Sequence, residues 1–382
     1  MLLRRSLAGV ASVRTRLAPR TRPRRAPAAS AAAAATASAP KGRVVFLGTP
    51  AIAASVLGAL MDAAEAPNAC FELTGVVSQP GRPRGRGRKK GGPPPPSEVE
   101  ALARERGVPD SAILTPASAR DESFLDALEA LSPDLCVTAA YGNVLPQRFL
   151  DIPKRGTLNI HPSLLPAFRG AAPVPRALEA GVSVTGVTVA YTVLAMDAGP
   201  VLCQREVEVG PDERSPELLD RLFKMGTEDL VERMPAVLDG SAQSTPQDGS
   251  LATHAAKMSK HEGVLDPRAC EAAELHNRVR AFAGHVGTKL ELLLPPKEEG
   301  GERERMVVGV VETRVGDGAA EGGPGALRMH QKKAMRVTCA GGTALDVLEV
   351  QPPSKKPMPA VSFWNGLRGQ AVEVAPPAEA AA

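Results

Sequence analysis

Aromatic residues are scarce in this chain of 382 residues, where Phe, Trp and Tyr together make up 3%. Single-stranded nucleic acid is usually bound by stacking its bases on interleaved aromatic side chains, so the composition argues against such a platform. The 36 glycines and 36 prolines predict many turns around a core of Val, Leu and Ala. Hydrophobic residues (43%) and charged residues (23%) are in ordinary globular proportion, and the length allows two domains.

Long apolar runs and paired cysteines are also absent from the sequence. No run approaches the ~18 apolar residues of a membrane span, so we expect a soluble protein that does not enter a membrane. The five cysteines lie 66 to 69 residues apart without a C-x-x-C pair. This spacing excludes zinc ribbons and thioredoxin-type chemistry, and it predicts free thiols.

Acidic residues are missing from the first 40 positions, which hold eight Arg and no Lys. Without these eight, 38 basic residues stand against 42 acidic ones, so the rest of the chain has a net charge of −4. An Arg-rich, acid-free segment rich in Ala and Ser is typical of an organellar transit peptide, the alternative being a disordered arm that binds nucleic acid. We therefore expect residues 1–40 to be a disordered transit peptide. The expected location is the mitochondrion, with the chloroplast or dual targeting as alternatives.

Strands and helices alternate through the first half of the chain. Residues 42–47 and 71–78 are predicted strands on either side of a helix at 51–66, which makes a β-α-β unit. Further strands are predicted at 135–140, 157–161, 184–194 and 200–209, and further helices at 97–106, 122–131, 171–180 and 215–238. This alternation predicts an α/β domain over residues 41–240 with a doubly wound, mostly parallel sheet of Rossmann type.

The pattern changes after residue 240. Residues 241–250 lack apolar periodicity, and residues 241–262 are interpreted as a linker. A helix at 270–283 precedes strands at 290–294, 306–315, 335–340 and 344–350, the last two joined by a Gly341-Gly342 turn. A run of strands after one helix predicts a small OB-like β-barrel over residues 263–373, followed by a disordered tail at 374–382.

Unusual polar residues are most concentrated in GTLNIHPSLLPAFRGAAP, residues 156–173. Asn159 and His161 lie two apart on a predicted strand, so both side chains emerge on one face. The strand then ends at Pro162, and ligands of doubly wound sheets bind at the carboxyl ends of the strands. Taken alone, the pair also fits a satisfied core histidine beside a capping asparagine.

The same stretch resembles the folate-dependent formyltransferases, which carry Asn-x-His followed by Ser-Leu-Leu-Pro. The third catalytic residue of that family is an Asp followed by a small residue and Gly, which Asp197 matches in MDAG. Within the family, the chain is most similar to the methionyl-tRNA formyltransferases of plant organellar type. FLGTP, SQPGRPRGRGRKK, AYGNVLP, KMSK and QPPSKKPM extend the similarity over about residues 43–369. RAFAGHVGTK at 280–289 departs from it, since the family commonly has Trp-Pro there.

The resemblance implies an enzyme that transfers the formyl group of 10-formyltetrahydrofolate to the α-amine of initiator methionyl-tRNA, for organellar translation initiation. Its catalytic residues would be Asn159, His161 and Asp197. The attacking amine creates an oxyanion, to which the Asn159 amide and a protonated His161 can donate hydrogen bonds. Asp197 would favour the imidazolium or accept a proton from the amine. This chemistry needs the folate cosubstrate and no metal.

Two groups of binding residues also follow from the resemblance. The folate contacts would come from Ser163, Leu164, Leu165 and Pro166, and the pterin pocket would be walled by Ala139, Ala140, Tyr141 and Gly142. The acceptor stem of the tRNA would meet the basic residues Arg82, Arg84, Arg86, Arg88, Lys89 and Lys90, with Lys257 and Lys260 of KMSK. Six positive charges in nine residues of an otherwise acidic body predict phosphate contacts. Arg169-Gly170 fits either a ligand contact or a helix cap.

The resemblance also implies a monomer. Two other functions stay open at this point. A formyltransferase acting on a small amine, such as glycinamide ribonucleotide or an amino sugar nucleotide, would not require the basic loop. A non-catalytic RNA-binding protein would not require the set of Asn159, His161 and Asp197.

Overall fold

The computed structural model describes residues 40–82, 94–296 and 301–376. The predicted transit peptide lies outside the described residues, except for Pro40, and so does the end of the predicted tail. Most of the basic loop lies outside them as well, namely Arg84, Arg86, Arg88, Lys89 and Lys90. Within the described ranges, no helix is both long enough and apolar enough to cross a bilayer.

The first half of the described chain forms a seven-stranded sheet with helices on both faces. Its strands, with one short outlying strand β6, are β1 Gly42–Gly48, β2 Phe71–Val77, β3 Ile113–Leu114, β4 Leu135–Ala139, β5 Thr157–His161, β6 Arg169–Gly170, β7 Val184–Tyr191 and β8 Val201–Glu208. Its helices are α1 Ala51–Glu65, α2 Glu98–Glu105, α3 Glu122–Ala130, α4 Gln147–Leu150, α5 Pro173–Glu179 and α6 Ser215–Asp239.

The strand order is β3-β2-β1-β4-β5-β7-β8, and it is parallel as far as β5. β7 and β8 continue the sheet in antiparallel orientation. The predicted mostly parallel, doubly wound sheet is therefore confirmed. β1 shows why the sheet is covered on both faces: Val44 and Phe46 belong to one core cluster, and Val45 and Leu47 to the other. An unbroken apolar run is what a parallel strand buried on both sides requires.

The second half of the chain forms an antiparallel sheet. Its elements, preceded by the two-residue strand β9, are β9 His254–Ala255, α7 Ala272–Phe282, β10 Thr288–Leu294, β11 Glu304–Val315, β12 Leu327–His330, β13 Ala334–Thr338, β14 Ala344–Gln351, β15 Met358–Pro359, α8 Ala360–Gly366 and β16 Glu373–Val374. The order is β12-β13-β14-β11-β10-β16. A bridge between Ala326 and Glu373 joins its two ends, so the sheet closes on itself like a barrel. The predicted Gly341-Gly342 turn is confirmed, and both glycines have positive φ.

Helix α7 connects the two sheets. Leu275, near its start, lies in the core of the second sheet, whereas Phe282, its last residue, lies in the core of the first. His276 and Arg280 are buried between them and bond to the main-chain carbonyls of Pro211 and Gly210. Burial lowers the pKa of the Arg280 guanidinium. The segment that departs from the family pattern thus contains two of the residues that pack the two sheets together, Arg280 and Phe282.

Candidate active site

The carboxyl ends of β4 and β5 hold Asn159 beside Thr138. The two residues are register partners in the parallel ladder. The Thr138 hydroxyl donates a hydrogen bond to Oδ1 of Asn159 over 2.8 Å. Because this bond occupies the amide oxygen, the Asn159 NH2 remains as the donor that can serve a ligand.

His161, at the end of β5, is 4% exposed and is held through Nε2. This nitrogen lies 3.0 Å from the carbonyl oxygen of Phe168. A carbonyl only accepts, so Nε2 carries a hydrogen in this arrangement. Nδ1 faces Oδ2 of Asp197 over 3.8 Å. It is the nitrogen that can exchange a proton with a bound group: a base when the ring is neutral, and a donor when the ring is charged.

Asp197 lies on a loop between β7 and β8. β7 ends at Tyr191, three residues before the predicted end of this strand, and the Ala198 N–H then closes a turn on the Ala195 carbonyl. Asp197 has φ of 49°, and its Oδ2 accepts the Gly170 N–H over 2.8 Å. Strained left-handed residues of this kind cluster at functional sites. The glycine of MDAG is required because a Cβ on Gly199 would lie 1.8 Å from the Tyr191 carbonyl oxygen.

The Ser-Leu-Leu-Pro turn follows His161 and is fixed from β7 and β8. Thr188 Oγ1 donates to the Ser163 carbonyl over 2.6 Å and accepts the Leu165 N–H over 3.0 Å. Gln204 Nε2 donates to the Leu165 carbonyl over 2.7 Å. Ser163 itself is fully buried, and its hydroxyl donates to the Ala167 carbonyl. Any contact of Ser163 with a ligand would therefore come from the backbone. Leu164 packs over β7, where a Cβ on Gly186 would lie 2.5 Å from Leu164 Cδ2.

The predicted pterin wall, residues 139–142, follows β4 into the same cleft. Ala139 is buried, and Ala140 is exposed with φ of 46°. The Tyr141 carbonyl accepts hydrogen bonds from Thr49 Oγ1 and Gln79 Nε2. The Tyr141 ring packs into the sheet core, where burial raises the pKa of its hydroxyl. A ligand at this wall would thus meet main chain and small side chains.

Comparison with known proteins identifies the family of this chain. A family model described as formyl transferase matches residues 42–234, and one described as formyl transferase, C-terminal domain, matches residues 257–368. A methionyl-tRNA formyltransferase of Methylococcus capsulatus is 39% identical over 323 residues, covering 85% of this chain and 96% of its own. One of Bacillus licheniformis is 37% identical over 336 residues, covering 86% and 96%. The chain belongs to the methionyl-tRNA formyltransferase family.

Solved structures share the fold of this family at low identity. WlaRD, a sugar 3N-formyl transferase solved with dTDP and 5-N-formyl-THF, has a TM-score of 0.55 at 12% identity and covers 83% of this chain and 100% of its own. An N-formyltransferase of Helicobacter canadensis, in complex with folinic acid and dTDP-3-aminofucose, has a TM-score of 0.53 at 11% identity, covering 80% and 98%. These likenesses extend to the overall architecture of both halves of the chain.

The predicted tRNA-binding residues that the structure describes lie at two places. Arg82, at the start of the basic loop, donates to Oε1 of Gln79, whose Nε2 bonds to the pterin-wall carbonyl. Lys257 and Lys260 are exposed on the segment that leaves β9. Arg176 anchors that segment by donating to the Ala256 and Lys257 carbonyls. No group of three His, Cys, Asp or Glu side chains among the described residues could hold a metal ion.

Several residues of the site carry no signal in the sequence. They are Thr138, Thr188, Gln204, Gln247 and Thr253, all polar residues that bond to the predicted site residues or to the loops that carry them. Arg169 and Gly170 do not cap the next helix, whose N-cap is Ala172, and a ligand contact by either residue stays a prediction. Arg169 donates to Gln247, and the Gly170 N–H binds Asp197. The sequence pattern does not reveal the five polar residues listed above, because their hydrogen-bond partners are distant in sequence.

Proposed function

We propose that the protein transfers the formyl group of 10-formyltetrahydrofolate to the α-amine of methionyl-tRNA. The observation that carries this proposal is the approach of His161 Nδ1 to Asp197 Oδ2, 3.8 Å apart, next to Asn159 on the strand that ends there. The names of the relatives, 37% and 39% identical over nearly their whole length, supply the acceptor. Two structural neighbours were solved with 5-N-formyl-THF and with folinic acid, which supports a folate as the donor.

The three side chains provide the groups that formyl transfer needs. 10-Formyltetrahydrofolate supplies the formyl carbon, and the neutral α-amine adds to it to give an oxyanion. The Asn159 NH2, whose direction Thr138 fixes, donates to this oxyanion. His161 Nδ1 accepts the proton that the amine loses and can return it to N10 of the departing folate. Asp197 faces the imidazolium formed in between and lowers its free energy.

Positioning of the two substrates supplies the rest of the rate. The turn at residues 163–166 and the wall at residues 139–142 are main-chain surfaces held by hydrogen bonds from Thr188 and Thr49. A donor fixed against such surfaces is presented in one orientation to the acceptor amine. No covalent bond between enzyme and formyl group is required.

The basic loop at residues 82–90 and the lysines of KMSK are proposed to bind the acceptor stem of the tRNA. Their charge contrasts with a body whose net charge is −4. Binding that neutralises phosphates releases counterions, so the affinity should fall steeply with added salt. A formyltransferase of a small amine gains nothing from such a loop.

The Arg-rich residues 1–40 are proposed to direct the enzyme to the mitochondrion, where formylated methionyl-tRNA would initiate translation. A fusion of these residues to a fluorescent protein should enter mitochondria in plant or algal cells. Entry into chloroplasts would move the proposed location to the plastid, and a cytosolic signal would remove the targeting role.

The function is tested by formyl transfer to three acceptors: methionyl-tRNA, glycinamide ribonucleotide and an amino sugar nucleotide. We expect turnover with methionyl-tRNA alone. The triple variant Arg84→Ala, Arg86→Ala, Arg88→Ala should raise the KM for tRNA and flatten its dependence on salt, with an unchanged KM for the formyl donor. Turnover with a small amine alone would contradict the acceptor, and an unchanged salt dependence would contradict the role of the loop.

A further inference from the structure

The polar segment at residues 245–255, predicted as part of a linker, is bonded to the loops of the candidate site. Thr245 exchanges two main-chain hydrogen bonds with Val201, at the start of β8, each 2.8 Å long. Ten residues later, β9 pairs in parallel with β6, so that Ala255 lies beside Gly170. The segment therefore connects β8, the strand that follows the Asp197 loop, to β6, the strand that contacts the Asp197 carboxylate.

Gln247 is the residue of this segment that reaches the Asp197 loop. Its Nε2 donates to the carbonyl oxygens of Asp197 over 2.9 Å and of Gly199 over 2.7 Å. Its Oε1 accepts Nε and Nη2 of Arg169 over 3.1 and 2.6 Å. Both hydrogens and the oxygen of the amide are thus engaged, which fixes the side chain in one orientation.

Asp197 is held at two points, and both lead to the same segment. Its carbonyl is bound by Gln247, and its carboxylate accepts the Gly170 N–H, whose strand β6 is paired with β9. Its φ of 49° is one that residues other than glycine adopt at a cost, so surrounding contacts must maintain it. The two Gln247 hydrogen bonds are contacts of this kind, since they bind the residue and the glycine that ends the turn.

We propose that Gln247 is a positioning residue, which sets the distance between the Asp197 carboxylate and His161 by holding the main chain on both sides of Ala198. The inference rests on the proposed formyl transfer and adds the segment after α6 to its catalytic site. Gln247 touches neither His161 nor the turn at residues 163–166 in the contacts above. Its effect should therefore appear in the chemical step and not in donor binding.

The first test is the variant Gln247→Ala, with Gln243→Ala as the matched control. Gln243 is an exposed glutamine two residues before this segment, and its Nε2 donates to the nearby Ser241 carbonyl. We expect Gln247→Ala to lower kcat with methionyl-tRNA about ten- to a hundredfold, as small misplacements of catalytic groups do. The KM for the formyl donor should change less than about twofold, and Gln243→Ala should match the wild type. Equal kcat for Gln247→Ala and Gln243→Ala would overturn the proposal.

A double-mutant cycle separates positioning from a general loss of structure. In an Asp197→Ala background, Gln247→Ala should lower kcat no further, because the group that it positions is gone. Full additivity of the two losses would overturn the proposal. Gln247→Glu keeps an acceptor for Arg169 but loses both donors to the Asp197 loop, so it should be as slow as Gln247→Ala. Wild-type turnover of Gln247→Glu would assign the effect to Arg169 instead.

Amide hydrogen exchange provides a measurement that does not depend on activity. The amides of Ala198 and Gly170 are bonded within and to the Asp197 loop, and they should exchange faster in Gln247→Ala than in Gln243→Ala. Unchanged exchange would count against the proposal. The wild type is assayed in parallel: if it does not formylate methionyl-tRNA, the proposed function fails, whereas an active wild type with an equally active Gln247→Ala refutes this inference alone.

Discussion

The turn at residues 163–166 and the loop that carries Asp197 both adjoin His161, but they are held in different ways. The turn is bonded from within the sheet, by the fully buried Thr188 and by Gln204. The Asp197 loop is bonded from outside the sheet, by Gln247 and by the β6–β9 pair. The donor side of the cleft is therefore fixed mainly by the sheet, with one further bond from the Thr253 N–H to the Pro166 carbonyl, whereas the position of Asp197 depends on the chain that follows the sheet.

Removal of the catalytic side chains that lie between the turn and the Asp197 loop should have the largest effect on kcat. His161→Ala and Asn159→Ala should each lower kcat at least about a hundredfold, because each removes a donor or a proton carrier that acts in the transition state. The measurement is single-turnover formyl transfer with saturating donor and methionyl-tRNA.

Thermal unfolding is the control for both variants, and the midpoints should stay near that of the wild type. Either variant with wild-type turnover would remove its residue from the mechanism. A large drop in midpoint for Asn159→Ala would instead show that its bond to Thr138 is structural.

The variant Thr188→Val tests the hydrogen bonds by which the sheet holds the turn at residues 163–166. This change leaves the Leu165 N–H without its acceptor and the Ser163 carbonyl without its donor in a buried place. An unsatisfied buried group costs about 1–3 kcal/mol, so the free energy of unfolding should fall by about 2 kcal/mol. The KM for the formyl donor should rise as the turn loosens, while kcat changes less.

Thr185→Val is the matched control, since Thr185 is buried on the same strand and takes no part in the bonds to the turn. An unchanged KM for the donor in Thr188→Val would mean that the turn keeps its shape without the sheet. The turn at residues 163–166 would then not differ from the Asp197 loop by being held from within the sheet.

The two regions also differ in what the sequence reveals of them. Asn159 and His161 could be assigned to one face of a strand because alternation is local, and β5 has the predicted bounds. Thr138 could not be paired with Asn159, since the register of parallel strands is set by packing far from either residue. Gln247 lies in a polar stretch without periodicity, and its partners are 48 to 78 residues away in sequence. Hydrogen bonds of that span leave no pattern along the chain.

The orientation of the Asn159 amide, like the turn at residues 163–166, is set by a hydrogen bond from within the sheet. Thr138→Val removes the hydroxyl that occupies Asn159 Oδ1, so the amide can rotate away from the donor geometry. We expect kcat to fall about tenfold, the equivalent of one hydrogen bond of about 1.4 kcal/mol. Thr157→Val is the control: Thr157 Oγ1 is buried on β5 without a hydrogen-bond partner among the described residues, so its loss should leave kcat unchanged. Equal rates for the two variants would contradict the role of Thr138.

The smallest expected effect concerns the charges that anchor the outer segment. Glu262 binds Arg176 Nη1 over 2.6 Å and accepts two hydrogen bonds from Ser259. These contacts, the Arg176 bond first, lower the pKa of Glu262 from 4.5 to about 2. A carboxyl with a depressed pKa stabilises the fold above its unfolded value, and that stability is lost as the pH falls through the folded value.

Glu262→Gln should therefore be slightly less stable than the wild type at pH 7, and the gap in unfolding free energy should close between pH 4.5 and about 2. Urea unfolding across this range measures the gap, with Glu65→Gln as the control for breaking an exposed ion pair to Arg106. The turn at residues 163–166 is bonded by uncharged groups, so Thr188→Val should show a gap that does not vary in this window. A constant gap for Glu262→Gln would mean that charge does not anchor the outer segment, and the two sides of the site would then respond to acid alike.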